Sequence, residues 1–276
     1  MTADATASGR GRTWFNSLVD RATPVEAGPA SVLVGDATVA GEAVRVLAVV
    51  PDPQNRFPRA RHGEFGLEEG WVLAGRVREA VAADSSGVKR PILAVIDVPS
   101  QAYGRLEALL GVHLSLAAAV DAYEAARTAG HPVVALIVGA AVSGGFLAHG
   151  AQAHRVLALD DPGVVVHAMP KRSAARVTRR TVEELDELGK TVIPMAYDIR
   201  RYAELGLLHE LISGIDADAP SAAQVERVKE RIAAAITDVR KNPGDLTSKL
   251  SNAGARTHRA ASIEVRRKME EQWDRL

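Results

Sequence analysis

The stretch Ile137–Gly150 reads IVGAAVSGGFLAHG. It starts as an apolar run, thins to small residues, sets Ser143, Gly144 and Gly145 together, and passes into an Ala/Leu/His segment. The residues just before it, PVVALIVG, have the unbroken apolar character of a strand buried on both faces, and a helix is predicted over 144–152. A strand that ends in glycines and turns straight into a helix presents backbone N–H groups with no partner inside the helix. Glycine there lets an oxygen approach the amide closely, which suits an oxyanion that develops during reaction. On the residues alone four readings stand open. The amides around Gly144 and Gly145 form an oxyanion hole. Ser143 sits on a nucleophile elbow, since AVSGG is one residue away from G-x-S-x-G, with Ala141 in the place of the first glycine; His149, His154, His167 and His209 are then the histidines available to it. The turn is a phosphate loop, although no Lys-Ser/Thr follows the glycines. Or small residues simply let a helix pack tightly on a strand.

Working outward, RPILAVIDV is a second buried strand that stops at Pro99, and LSLAAAVDAYEAARTAG is an Ala-rich helix with Gly130 at its C′ position and Pro132 beyond. Upstream, Ser31–Val34 and Val44–Val50 read as two strands with a turn between them. TWFNSLVDRA predicts a short helix with Trp14, Phe15 and Leu18 on its apolar side. LEEGWVLAGRVREAVAAD predicts another, with Leu67, Trp71, Ala74, Val77 and Val81 at helical spacing. Downstream come the strands RVLALD and GVVVHAM, a basic segment KRSAARVTRR, an acidic helix TVEELDELGK, and two polar helical stretches after Ser221. Buried strands alternating with helices imply an α/β class with a sheet covered on both faces. The organisation expected is a disordered 1–12, a main domain over 13–215 and a helical extension over 216–276.

The chain has 276 residues, enough to bury a sizeable core. Its 34 basic and 34 acidic residues cancel, and aromatics make up 4%; both facts argue against a nucleic-acid binder. The absence of cysteine removes disulfides, thiolate metal sites and thiol nucleophiles. MTADATASGRGR lacks the apolar stretch of a signal peptide, and no run approaches the ~18 apolar residues of a membrane span. A cytoplasmic protein without a membrane segment is expected.

The segment AVIDVPSQAYGRLEALLGVHLSLAAAVDAYEAARTAGHPVVALIVGAAVSGGFLAHGAQAHRVLAL resembles the carboxyltransferase branch of the crotonase superfamily. Asp97-Val98-Pro99 matches the strand end of that branch, Tyr103-Gly104 and Gly111 the loop after it, and Gly139 to Gly145 the second glycine turn. The resemblance covers roughly residues 30 to 215. Within the branch, PQNRFPRARHGEFGLEEGW and VVVHAMPKRSAARVTRRTVEELDELGKTVIPMAYDIRRYAELGLLHELI look most like the gamma subunit of biotin-independent malonate decarboxylase. The acetyl-CoA carboxylase alpha subunit has a SVISPEG-like stretch where VVVHAMPKRSAA stands here.

The resemblance implies a crotonase-like fold of repeated ββα units, with a spiral sheet and outer helices. It implies decarboxylation of a malonyl thioester on an acyl carrier protein, giving an acetyl thioester and carbon dioxide, at a site shared with a beta subunit. The substrate would ride on the CoA-derived prosthetic group of that carrier protein, with acyl-carrier transferase subunits in the same complex and no cofactor or metal in this chain. Gly144 and Gly145 are then the oxyanion donors, Ser143 a turn residue, Tyr103 and Gly104 the first-turn candidates, and Gly139, Ala140 and Arg172 substrate-binding. Tyr103, His113 or a water would supply the proton. The alternatives are a biotin-dependent carboxyltransferase subunit and a structural subunit that only completes its partner's site. Lys171, Arg172, Arg176, Arg179 and Arg180 either meet the phosphates of a carrier-bound prosthetic group or an acidic carrier protein, or form a solvated face paired with Glu183–Glu187. Arg56, Arg59, Arg61 and His62 lie in a loop that is either a partner contact or mobile surface.

Overall fold

The computed structural model describes residues 8–23, 28–242 and 246–273. The two apolar runs that flank the central turns are the middle of the sheet. β4 (Ile92–Val98) and β5 (Val133–Val142) are buried at every position and pair in parallel. Such strands require cover on both faces. Upstream, β1 (Arg21–Thr23), β2 (Val32–Val39) and β3 (Glu42–Val49) add on antiparallel, before β3 joins β4 in parallel. The β2–β3 hairpin is longer than the sequence suggested, and it turns at Ala40 and Gly41. Both have positive φ there, as a two-residue turn of matching twist demands.

Beyond β5 the sheet divides. The first half of β5 pairs with β6 (Arg155–Leu159), and its last three residues pair with β7 (Val165–His167). β8 (Glu210–Ile212) closes the edge beside β6. Two strands following one another along β5 keep the turn at Ser143 flanked by backbone on one side.

Helix α1 (Arg10–Leu18) lies against β3, β4 and β5. It buries Trp14, Phe15 and Leu18, as the sequence predicted. Residues 8–12 are not the disordered leader expected of them. The Ser8 hydroxyl donates to Asp97, and the buried Arg10 guanidinium pairs with Asp161 at 2.8 Å and with Asp218 at 2.7 Å. The remainder of that expectation, residues 1–7, lies outside the described residues. The other face is covered by α2 (Leu67–Ala83) and α4 (Val112–Thr128), which pack on each other. Gly70 makes that approach possible, since any β-carbon on it would overlap the Ser115 backbone. α2 accordingly buries Gly70, Leu73, Ala74 and Val77, and Trp71, expected in the apolar stripe, is 53% exposed instead. α4 ends as predicted: Gly130 has φ +89°, its amide bonds to Arg127, and the His131 amide reaches back to Ala126, a Schellman close.

After β4 comes the short α3 (Arg105–Leu109), and after β5 the seven-residue α5 (Ser143–His149), shorter than the predicted 144–152. The basic and acidic segments are α6 (Lys171–Thr178) and α7 (Val182–Thr191), followed by α8 (Ile199–Glu204). The boundary expected at residue 216 cuts through the core. α9 (Ala222–Lys241) buries Val225, Val228, Ile232 and Ile236 in the main cluster, against the sheet. The peripheral part is α10 (Ser248–Ser251), α11 (Ala253–His258) and α12 (Ala260–Trp273), of which α12 buries no residue. Among the described residues, no helix is long and apolar enough to cross a membrane.

Candidate functional site

Asp97 organises the strand ends. Its buried carboxylate accepts from the Ala140 amide at 3.0 Å and from the Gly11 amide at 3.2 Å, besides the Ser8 hydroxyl. One side chain thus ties β4, β5 and α1 together directly below the turns. This accounts for two residues expected to bind substrate. The Ala140 amide is spent on Asp97, and Gly139 is glycine because a β-carbon would run into the Asp97 carboxylate. Gly139 and Ala140 are therefore framework, set behind the turn.

Above Asp97 the two turns meet. The Tyr103 hydroxyl lies 3.3 Å from the Ser143 hydroxyl. The Gln101 carboxamide covers Gly144, so that a methyl group on Gly144 would collide with it. Ser143 is buried and holds φ +65°, the left-handed region that costs a non-glycine residue about 1–3 kcal/mol and concentrates at functional turns. No side chain caps α5, so its first-turn amides keep the unpaired character expected of a helix start.

The two glycines play different parts. Gly144 is half-buried and faces a flexible side-chain end. Gly145 is buried, and a β-carbon there would overlap Val98, the Ser100 carbonyl and Phe65. The packing reading thus accounts for Gly145 in full, and Gly144 is the position that packing leaves unexplained. Gly104, at the start of α3, abuts the buried Glu107 carboxylate.

Beside these turns opens a cleft of about 410 Å³. Ser100, Gln101 and Tyr103 form one wall, Arg59 and Glu64 a second, and Met169, Ser173 and Val177 on and before α6 the third. Phe65 seats the middle wall, since its amide donates to Ser100 and its carbonyl accepts from Ala102. Of the residues predicted from the sequence, the structure brings together Tyr103, Gly104, Ser143, Gly144 and Gly145. Arg172 is exposed on α6 outside the cleft lining, to which the likewise exposed Ser173 and Val177 contribute. His113 is exposed at the start of α4. Sequence reading missed Gln101, Glu64 and Ser173, and placed Arg59 only in a loop. Gln101, two residues from Tyr103 on a strand-like stretch, was the one within reach of a pattern argument.

His149, His154 and His167 are each engaged away from Ser143. The His149 ring is fully buried, 2.9 Å from the Tyr123 hydroxyl. The His154 ring accepts from the Val133 amide, and the His167 ring stacks on Tyr197 at 4.0 Å. Burial pushes His149 down to about 3 and His154 to about 4. Both are neutral in the fold and protonate near 6.5 once unfolded. Their contribution to stability is therefore full above pH 6.5 and is lost as the pH falls toward 4. Buried Glu69, whose carboxyl is pushed up by desolvation, works in the opposite sense. The melting temperature is expected to fall steadily from pH 6.5 to pH 4.5. A scanning-calorimetry profile flat over that window would contradict the neutral assignments.

On α6 and α7, Lys171 pairs with Asp186 at 2.6 Å and lies over the Tyr197 ring, so at that residue the basic and acidic segments are partners. Among the described residues no group of three His, Asp or Glu side chains is placed to hold a metal ion.

Comparison with known proteins gives this geometry its setting. A family model described as malonate decarboxylase gamma subunit matches residues 60–273. The chain is similar to one chain of Pseudomonas malonate decarboxylase. In the hetero-tetramer crystallised with coenzyme A, the identity is 52%, the match covers 98% of this chain and 100% of that one, and the TM-score is 0.90. In the MdcD–MdcE hetero-dimer the identity is also 52%, over 96% and 99% of the two chains, with a TM-score of 0.86. The malonyl-S-ACP:biotin-protein carboxyltransferase MADD of Malonomonas rubra is 37% identical over 196 residues, 69% of this chain and 67% of that protein. Transcarboxylase 12S shares the fold alone, at 19% identity over 86% of this chain and 42% of that one, with a TM-score of 0.63. The crotonase-like α/β fold expected from the sequence is the one found. With the match running from Ala60, next to Arg59 of the cleft wall, to the last turn of α12, this chain belongs to the malonate decarboxylase gamma subunit family.

Proposed function

We propose that this chain, paired with a beta-type subunit, decarboxylates a malonyl thioester carried on an acyl carrier protein, releasing carbon dioxide and leaving the acetyl thioester. The observation that carries the reading is the junction of Gln101, Tyr103, Ser143 and Gly144 beside an open cleft, in a chain of this family. Breaking the bond between the carboxylate and C2 leaves its electron pair in the thioester enolate, and a proton then adds at C2. The thioester carbonyl is the electron sink, so the step asks for no resident cofactor. Its oxygen gains negative charge and is stabilised by the first-turn amides of α5, with Gly144 the half-buried residue among them. A backbone donor of this kind is worth about 3 kcal/mol of barrier. Tyr103, half-exposed and paired with Ser143, stands where a hydroxyl can pass a proton to C2. Arg59 supplies a cation to the cleft wall, suited to the phosphate of a pantetheine-type arm. The Pseudomonas relative, crystallised with coenzyme A, fits a substrate on such an arm.

The likeness to the Malonomonas carboxyltransferase favours a second reading, transfer of the carboxyl group to a biotin protein. One assay separates the two. The chain and a beta-type subunit are given a malonyl thioester without biotin, and carbon dioxide is measured. Release by the mixture alone is the expected result. No release until biotin is added, with carboxybiotin as product, would replace decarboxylation by transfer.

A further inference from the structure

At the end of the sheet away from the glycine turns lies a second cavity, of about 570 Å³. β6 enters the sheet beside Val134, near the start of β5, whereas Ser143 follows the last residue of β5. The cavity lies between β6, the segment joining α8 to β8, and the helices α10 and α11. It shares no lining residue with the cleft. Its size is that of small-molecule sites, roughly 300–1,000 Å³.

Lys249 on α10 gives this cavity its character. It lines the space and donates to the Ala151 carbonyl at 3.3 Å and the Ala153 carbonyl at 2.6 Å. Those two bonds leave one ammonium donor over and do nothing to neutralise the charge. The neighbouring guanidiniums each hold a carboxylate: Arg127 pairs with Glu124, and the buried Arg155 with Asp238. Among the described residues, no carboxylate pairs with Lys249. Burial, and then the charges of Arg127 and Arg155, push its ammonium down to about 8. A desolvated cation without a counter-charge is costly, and an anion in the cavity supplies one. The lining also holds the aliphatic Val156, Leu207 and Leu208. Glu204, on the same lining, opposes a second negative charge.

We propose that this cavity binds a short aliphatic monocarboxylate, its carboxylate taken by Lys249 and its chain lying against Val156, Leu207 and Leu208. The site is independent of the functional reading above and remote from the turns that carry it.

The test titrates the full chain with sodium butyrate and, separately, with neutral butyramide, at an ionic strength held constant with sodium chloride. Calorimetry, thermal melts and hydrogen exchange follow the binding. Butyrate is expected to bind saturably in the millimolar range or tighter, to raise the melting temperature, and to slow exchange over 203–209 and 248–258. Butyramide should bind at least about tenfold more weakly, having no charge to offer Lys249. Lys249→Met removes the charge from a side chain of similar length and should lose about tenfold or more in butyrate affinity. Ala253→Phe fills the cavity from an exposed lining position and leaves Lys249 in place. Its melt should match the parent while butyrate binding vanishes, and it decides the matter if Lys249→Met does not fold. No saturable binding, equal binding of butyramide, protection confined to 59–65 and 99–103 at the cleft, or parent affinity in either folded variant would each overturn the proposal.

Discussion

Replacing Gly144 with alanine is expected to lower carbon dioxide release from the malonyl thioester by about 100-fold, the scale of losing one oxyanion contact. Thermal stability and partner binding should stay at the parent value. The split follows from what surrounds the residue. The methyl meets the Gln101 carboxamide and a Leu116 methyl, both ends of side chains that can swing aside. The fold therefore accommodates it while the approach to the α5 amides is blocked. Gly145→Ala is the contrast. Its methyl meets Val98, the Ser100 carbonyl and the Phe65 β-carbon, so stability falls together with activity. Steady-state kinetics beside a calorimetric melt distinguish the two. If Gly144→Ala retains full turnover, Gly144 has no place at the reacting oxygen.

The second large effect is on the framework. Asp97→Ala removes an acceptor from two backbone amides and one hydroxyl, and leaves the amides buried without partners. Each such loss costs about 1–3 kcal/mol, so a total near 4 kcal/mol is expected. For a chain of this size that is a melting temperature roughly 8–15 °C lower. Asp97→Asn keeps an acceptor for Ala140 and turns an N–H₂ group toward Gly11, so it should lie between the parent and the alanine variant. Denaturant titration checks the order. Equal stability of all three would remove Asp97 from its central position.

Much of the fold was legible because its signals are local. The unbroken apolar runs of β4 and β5, the Gly130 stop of α4, and the Ser143–Gly145 turn are each written in adjacent residues. What the sequence concealed is set by partners far along the chain. Trp71 satisfies helical spacing, yet the rotation of α2 is decided by Gly70 meeting Ser115. Residues 8–12 have the composition of a loose leader, yet Arg10 finds carboxylates at 161 and 218. In the site, the glycine turn was readable, but the division of labour between Gly144 and Gly145 was not, because it depends on Gln101, Val98 and Phe65. Gly139 and Ala140 read as binding residues for the same reason: nothing nearby in sequence reveals that Asp97 already occupies them.

The seat of α1 also sets a timetable for synthesis. This helix leaves the ribosome long before some of the groups that hold it. Asp97 and Ala140 are needed below it, the Trp14 indole donates to the Ala217 carbonyl, and Arg10 requires Asp218. At typical elongation rates of 5–20 residues per second, about 200 residues take on the order of 10 s or more. Throughout that interval α1 can pack on β3, β4 and β5 once they are made, but the Trp14 indole and the Arg10 guanidinium lack their partners at Ala217 and Asp218. α1 is therefore made well before its seat is complete.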